Sequence, residues 1–104
     1  MASSFENITI ADALALLEKD IIIADIRDEA SYQAGHLDKA VHLNDTNISS
    51  FVQQSDFDKP ILVYCYHGHS SQHAADFLVK QGFDEVYSLV GGYTAWEATP
   101  SANG

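Results

Sequence analysis

One cysteine, Cys65, stands between an aliphatic run and a short polar segment in Ile61-Leu62-Val63-Tyr64-Cys65-Tyr66-His67-Gly68-His69-Ser70-Ser71. Thiolate is the form of sulfur that attacks electrophiles. It is scarce in an ordinary cysteine, which titrates near about 8.5, and abundant where a helix N-terminus or a cation lowers that value to roughly 3.5–7.5. The segment favours such lowering. Its apolar residues predict a buried strand that ends at Cys65, and Ser70 and Ser71 can cap a helix that follows directly. The sulfur then lies at the carboxyl edge of a sheet, facing loop amides and a helix N-terminus that carries about half a positive charge.

Gly68, in the middle of the loop, permits a positive φ, so that successive N–H groups converge into an anion nest for a persulfide sulfur or a small oxyanion. The pattern predicts nucleophilic chemistry at a thiol held below its ordinary pKa. The alternative is a cysteine that is simply a small buried hydrophobe at a strand end. A packing residue, however, has no need of a glycine-containing, donor-rich loop after it. His67 and His69 could tune Cys65 or donate a hydrogen bond to substrate; they fit equally well as exposed loop residues. Cys65, His67, His69 and His73 are all metal-ligand types, with His69 and His73 at i,i+4 spacing, yet alternating residues on a curled loop rarely converge on one ion, and no metal is expected.

The elements that must position this loop are legible as periodicity. Ile21-Ile22-Ile23-Ala24, Ile61-Leu62-Val63-Tyr64 and Val86-Tyr87-Ser88-Leu89 read as buried strands, and Ile8-Thr9-Ile10 and Ala40-Val41-His42-Leu43 as shorter ones. Ala13, Leu14, Leu16 and Leu17 form one helical face, with Thr9 and Asp12 at capping-box spacing. Ala74, Ala75, Leu78 and Val79 form another, ended by Gln81-Gly82. Weaker helical patterns cover 29–34, 48–54 and 93–97. Strands alternating with helices predict an α/β fold, a three-layer sandwich whose mostly parallel central sheet is flanked by helices on both faces. Ligands in such folds bind beyond the carboxyl ends of the strands.

Other residues read as scaffold. Arg27, the only arginine, is expected to pair with a carboxylate or brace a loop, and Asp25 to hydrogen-bond backbone. His36 is expected to be a satisfied, buried polar side chain, and Gly91-Gly92 the turn that lets Trp96 pack its helix on the core.

With 104 residues there is room for one domain, expected to span 1–104 with a core of about 5–98 and a tail over 99–104 whose Ser-Ala-Asn-Gly ending looks frayed. Hydrophobic residues at 46% and charged residues at 19% are ordinary for a globular chain and argue against disorder. Fifteen acidic against five basic residues leave a net charge of −10, which opposes binding to nucleic acid or to an anionic membrane. No apolar run approaches the ~20 residues of a membrane span, and the first six residues lack the features of a secretory signal, so a cytoplasmic location is expected. A lone cysteine can form neither an internal disulfide nor a Cys-x-x-Cys pair.

Four stretches in order, Ala24-Asp25-Ile26-Arg27-Asp28, Tyr32-Gln33-Ala34-Gly35-His36-Leu37, Cys65-Tyr66-His67-Gly68 with its serines, and Gly91-Gly92-Tyr93-Thr94-Ala95-Trp96, resemble the single-domain rhodanese family across nearly the whole chain. The resemblance implies a rhodanese-like fold and a thiosulfate sulfurtransferase. Cys65 would take the outer sulfur of thiosulfate, release sulfite, and pass the persulfide sulfur to cyanide or to a small thiol or dithiol acceptor, with thioredoxin a candidate. It implies no metal and no organic cofactor. It places the substrate on the loop of Tyr66, His67, Gly68, His69, Ser70 and Ser71, whose six residues from Cys65 to Ser70 match the tighter, sulfur-transferring form.

Related phosphatases place an arginine six positions after their cysteine, where this chain has Ser71, which disfavours phosphate-ester chemistry. Some rhodaneses carry a basic residue in this loop; here thiosulfate would be held mainly by amide dipoles. A familiar glycine after His36-Leu37-Asp38 is replaced by Lys39. A second function class is a non-catalytic persulfide carrier or redox-sensing module that acts through a partner protein.

Overall fold

Short aliphatic runs bounded by turn residues become the strands of one sheet, and amphipathic segments between them become its covering helices. The computed structural model describes residues 4–99; the predicted tail, apart from Thr99, lies outside the described residues. In chain order the elements are β1 Glu6–Ile8, α1 Ile10–Leu16, β2 Ile22–Asp25, α2 Glu29–Ala34, β3 Val41–His42, α3 Ile48–Gln54, β4 Ile61–Tyr64, α4 Ser70–Gln81, β5 Val86–Leu89 and α5 Gly92–Glu97.

The sheet order is β1-β5-β4-β2-β3. Every pairing is parallel, where a mostly parallel sheet was expected. All carboxyl ends therefore share one edge. The connection leaving β2 runs outward to β3, while the one leaving β4 runs the other way to β5. Between β2 and β4 lies a topological switch point, the place where such sheets open a crevice.

Side chains alternate across the sheet and divide the core in two. Ile23, Leu62, Tyr64 and Leu89 pack on one face with Ala13 of α1 and Trp96 of α5. Ala24, Ile61, Val63 and Val86 pack on the other with Ala75, Leu78 and Val79 of α4, and with partly buried Phe51 and Val52 of α3. All four residues of β4 are buried, so the strand that delivers Cys65 is the sheet's best-anchored element. Each such aliphatic side chain contributes roughly 1.5–3 kcal/mol on burial.

Several boundaries depart from expectation for local reasons. The Thr9 hydroxyl accepts the Asp12 amide at 3.3 Å, which takes the chain out of the sheet, so β1 ends at Ile8 and Ile10 begins α1 instead of ending a strand. The second strand runs Ile22–Asp25, one residue later than predicted, in register with β4 from Ile22–Ile61 to Asp25–Tyr64. The third shrinks to Val41–His42. Neither Ser70 nor Ser71 caps α4: the cap position is His69, with no side-chain capping bond, and the freed amide of Ser71 has another use.

Candidate active site

Cys65 follows the last residue of β4 and is 5% exposed. Its Sγ accepts the Gly68 amide at 3.1 Å and the Ser71 amide at 3.3 Å. Ser71 is the second residue of α4, and its N–H is one of the first-turn donors that a helix cannot satisfy internally. Burial pushes the thiol up. The Ser71 hydroxyl and the amides of Ser71, Gly68 and His67 outweigh it and hold Cys65 below its ordinary value. No formal positive charge is among these causes. The sulfur is cradled by dipoles.

The cradle depends on two glycine backbones. Gly68 has φ +92°, and a Cβ there would meet the Gly91 amide nitrogen at 2.9 Å and the Leu89 carbonyl at 3.1 Å. Gly92 has φ +60°, and a Cβ on it would collide with the Cys65 carbonyl and the Tyr66 peptide. This close approach lets the first turn of α5 hold the loop: the Tyr93 amide donates to Cys65 O at 2.7 Å, and the Thr94 amide to Tyr66 O at 3.0 Å. Gln72 Nε2 donates to Gly68 O at 2.9 Å. With their carbonyls bonded outward, the loop peptides leave amides for the sulfur.

The structure separates the predicted site residues into two groups. The amides of Gly68 and Ser71 converge on Sγ. Ser71 is itself wholly buried and bonded at 2.8 Å to Ser88 Oγ, so its side chain lies behind the sulfur and not in a substrate path. The side chains of Tyr66, His67, His69 and Ser70 are exposed on the rim. The Tyr66 hydroxyl is bonded to Asp28 Oδ1 and Ser31 Oγ at the start of α2. His73 is exposed on α4, and among the described residues no group of three or more His, Cys, Asp or Glu side chains is placed to hold a metal ion.

At the neighbouring strand end, Asp25 is fully buried and Arg27 is 6% exposed. Arg27 Nη2 donates to Asp25 Oδ2 at 2.7 Å and to Gly35 O at 2.5 Å, and the guanidinium lies 3.9 Å from the centre of the Tyr93 ring. Burial works against the Arg27 charge, and the Asp25 carboxylate more than offsets it, keeping the group above its ordinary value. Burial and Asp25 push the Tyr64 phenol well up, so it remains a donor, 2.7 Å from Asp25 Oδ2. Arg27 and Asp25 thus have the scaffold role expected of them. His36 does not have the buried place expected: it is exposed, its Nδ1 2.7 Å from Tyr32 O and its ring stacked on Tyr32 at 3.9 Å.

Ser88 and the Gly92 turn were not legible as parts of the site. Ser88 is a small residue inside an apolar strand, and nothing in its neighbours marks a partner 17 residues away. The glycine pair did carry a signal, but its evident use was to orient Trp96, which is indeed buried at 8% exposure. Its second use, contact with the Cys65 loop, exists only once β4 and β5 lie side by side.

The rhodanese-like domain family matches residues 9–99. The chain is 54% identical over 99 residues to the thiosulfate sulfurtransferase GlpE of Pseudoalteromonas translucida, covering 94% of each chain. It is 47% identical over 97 residues to that of Pseudomonas fluorescens, covering 93% of this chain and 89% of the relative. A rhodanese-related protein from Thermoplasma volcanium superposes with a TM-score of 0.78 at 23% identity, over 92% of this chain and 96% of the other, a likeness of fold.

Proposed function

The chain belongs to the rhodanese-like domain family and is a thiosulfate sulfurtransferase; we propose that it carries the sulfur as a persulfide on Cys65. In the first half-reaction the Cys65 thiolate attacks the outer sulfur of thiosulfate. The S–S bond of thiosulfate breaks and its electron pair leaves with sulfite. In the second, an acceptor thiolate or cyanide attacks the outer persulfide sulfur, and the electron pair of the broken bond returns to Sγ. Covalent catalysis of this kind divides one transfer into two easier displacements.

The observation that carries the assignment to Cys65 is the convergence of the Gly68 and Ser71 amides on its sulfur. Preorganised donors of this kind stabilise sulfur anion as an oxyanion hole stabilises oxygen. Gly68 and Ser71 act through these groups, while Tyr66, His67, His69 and Ser70 form the rim that incoming thiosulfate meets. Residues 5–98 form one rhodanese unit in this proposal, consistent with the family match over 9–99.

A small thiol or dithiol is the acceptor, and thioredoxin is the protein dithiol we put forward. The exposed apolar side chains of Tyr66 and Val90, beyond the ends of β4 and β5, would give such a partner a contact beside the thiol. Among the described residues no helix is long and apolar enough to cross a membrane. A cytoplasmic location suits a lone thiol that must stay reduced between turnovers.

The test is steady-state transfer from thiosulfate to cyanide, read as thiocyanate, with mass spectrometry of the protein after thiosulfate alone. One added sulfur atom on the Cys65 peptide, removed by cyanide, is expected. A protein that turns over with Cys65 unmodified would overturn the persulfide route.

A further inference from the structure

We propose that the apolar cavity between α3 and α4, beside Cys65, is the acceptor site of the second half-reaction, and that it takes an organic thiol with an uncharged apolar chain. The inference deepens the function proposed above and rests on Cys65 as the sulfur carrier. The cavity, of about 370 Å³, opens beyond the carboxyl ends of β2 and β3, and its apolar walls are Ile26, Leu43, Ile48, Ala74 and Phe77. Ile26 is half-buried and Phe77 is 38% exposed, so apolar surface is left uncovered there. Pockets for small organic molecules have this size and this mainly apolar lining.

Strand register brings the cavity to the sulfur. Asp25 of β2 pairs with Tyr64 of β4, and the Ile26 amide donates to Tyr64 O at 3.1 Å. Ile26 and Cys65 are the next positions beyond this pair, and neighbouring chains of a sheet lie roughly 4.8 Å apart. Alternation puts both side chains on the face of Ala24 and Val63, the face that α4 covers. There the Ser71 amide of α4 meets Sγ, and Ala74 and Phe77 of the same helix wall the cavity. The cavity is thus part of the crevice at the topological switch point between β2 and β4.

Chemistry then sorts the two substrates. Thiosulfate is a compact dianion: it suits the amides of the loop, gains nothing from an apolar wall, and is repelled by Asp45 on the cavity rim and by a net charge of −10. The acceptor is the other substrate that the reaction needs. Its thiolate attacks the outer persulfide sulfur and a new S–S bond forms. The bond to Sγ breaks, its electron pair returns to Sγ, and the acceptor leaves as an organic persulfide. A chain seated against Ile26 and Phe77 makes this an encounter between partners already held together.

The experiment loads the full chain with thiosulfate, removes the excess, and discharges it with straight-chain thiols from ethanethiol to pentanethiol. Loss of the added sulfur from the Cys65 peptide is followed by mass spectrometry, with cyanide as the acceptor that has no chain. These thiols have nearly equal pKa values and so equal intrinsic reactivity, and a rate difference reports binding. The rate constant should rise about three- to fourfold with each added methylene. In Ala74→Leu, which fills the cavity, the pentanethiol rate relative to that of cyanide should fall roughly tenfold or more. Phe77→Ala, which removes a wall, should also flatten the series and serves if the first variant does not fold. Equal rates along the series in sulfur-loaded wild type overturn the proposal and would leave the cavity to an apolar side chain of a protein acceptor. A chain-length dependence untouched by either substitution overturns it as well. A wild-type protein that takes up no sulfur overturns the function proposed above and this site with it, and the loading step tells that failure from the other two.

Discussion

Asp25 and Cys65 are both buried acidic groups at the ends of adjacent parallel strands, yet they are stabilised in different ways. Asp25 faces a full positive charge: Arg27 reaches it through backbone amide, Nε and Nη2, and Tyr64 adds a phenol. Its lone pairs are occupied and its charge cancelled. Cys65 meets dipoles instead, the amides of Gly68 and Ser71. Dipoles lower the cost of the negative charge without neutralising it, so the sulfur keeps a lone pair for attack. The difference teaches how one sheet edge can carry a structural anion and a reactive one side by side: a counter-ion makes an anion inert, and a cradle of amides leaves it nucleophilic.

Variants at each site should break this comparison along different axes. Cys65→Ser should reduce sulfur transfer to the uncatalysed background, measured as thiocyanate formation, because a hydroxyl is far less acidic and cannot form the persulfide. Its melting transition should remain cooperative. Asp25→Ala should do the converse. It leaves Arg27 buried without its partner, and denaturant unfolding should show a loss of about 3–5 kcal/mol. Comparable stability losses in both variants would mean that the sulfur cradle is as much a scaffold as the ion pair.

The pH dependence sharpens the same contrast. The Cys65 thiol lies below its ordinary value in the folded protein, so between the folded and unfolded pKa values the unfolded chain binds more protons. Its contribution to stability is fully present above the unfolded pKa, near about 8.5, and is lost as pH falls through the folded value. The difference in unfolding free energy between wild type and Cys65→Ser should therefore grow with rising pH across that window. A flat difference would show that the cradle does not favour thiolate.

Lys39 offers a variant on the ion-pair side. The Tyr64 hydroxyl that bonds Asp25 also accepts the Leu37 amide at 3.1 Å, which ties the 37–40 turn to the pair. Within that turn Lys39 has φ +68°, a conformation that favours glycine. Lys39→Gly should stabilise the protein by roughly 0.5–1 kcal/mol in thermal unfolding, as the relief of left-handed strain outweighs the extra freedom of the unfolded chain. Sulfur transfer should not change.

Much of this architecture was legible in the sequence because its signals are local. The runs Ile61–Tyr64 and Val86–Leu89 became strands with the expected bounds, as 29–34 and 48–54 became helices. Thr9 and Asp12 predicted a cap and formed one. Where expectation failed, a tertiary choice intervened: Ser71 was read as a cap, but the sulfur claims its amide and Ser88 its hydroxyl. His36 was read as buried, but it stacks on Tyr32 at the surface.

By itself the sequence determined that a lone cysteine would end a buried strand, enter a glycine-containing loop and meet a helix start, because strand periodicity, loop flexibility and helix onset are properties of neighbouring residues. Only the tertiary structure decided which groups surround the sulfur. The approach of Gly92 to the Cys65 carbonyl, the bonds from Tyr93 and Thr94 to the loop, and the Ser71–Ser88 contact all arise because β5 lies beside β4. Strand order follows from packing two apolar faces at once, a sum over the whole chain that no short stretch of sequence contains.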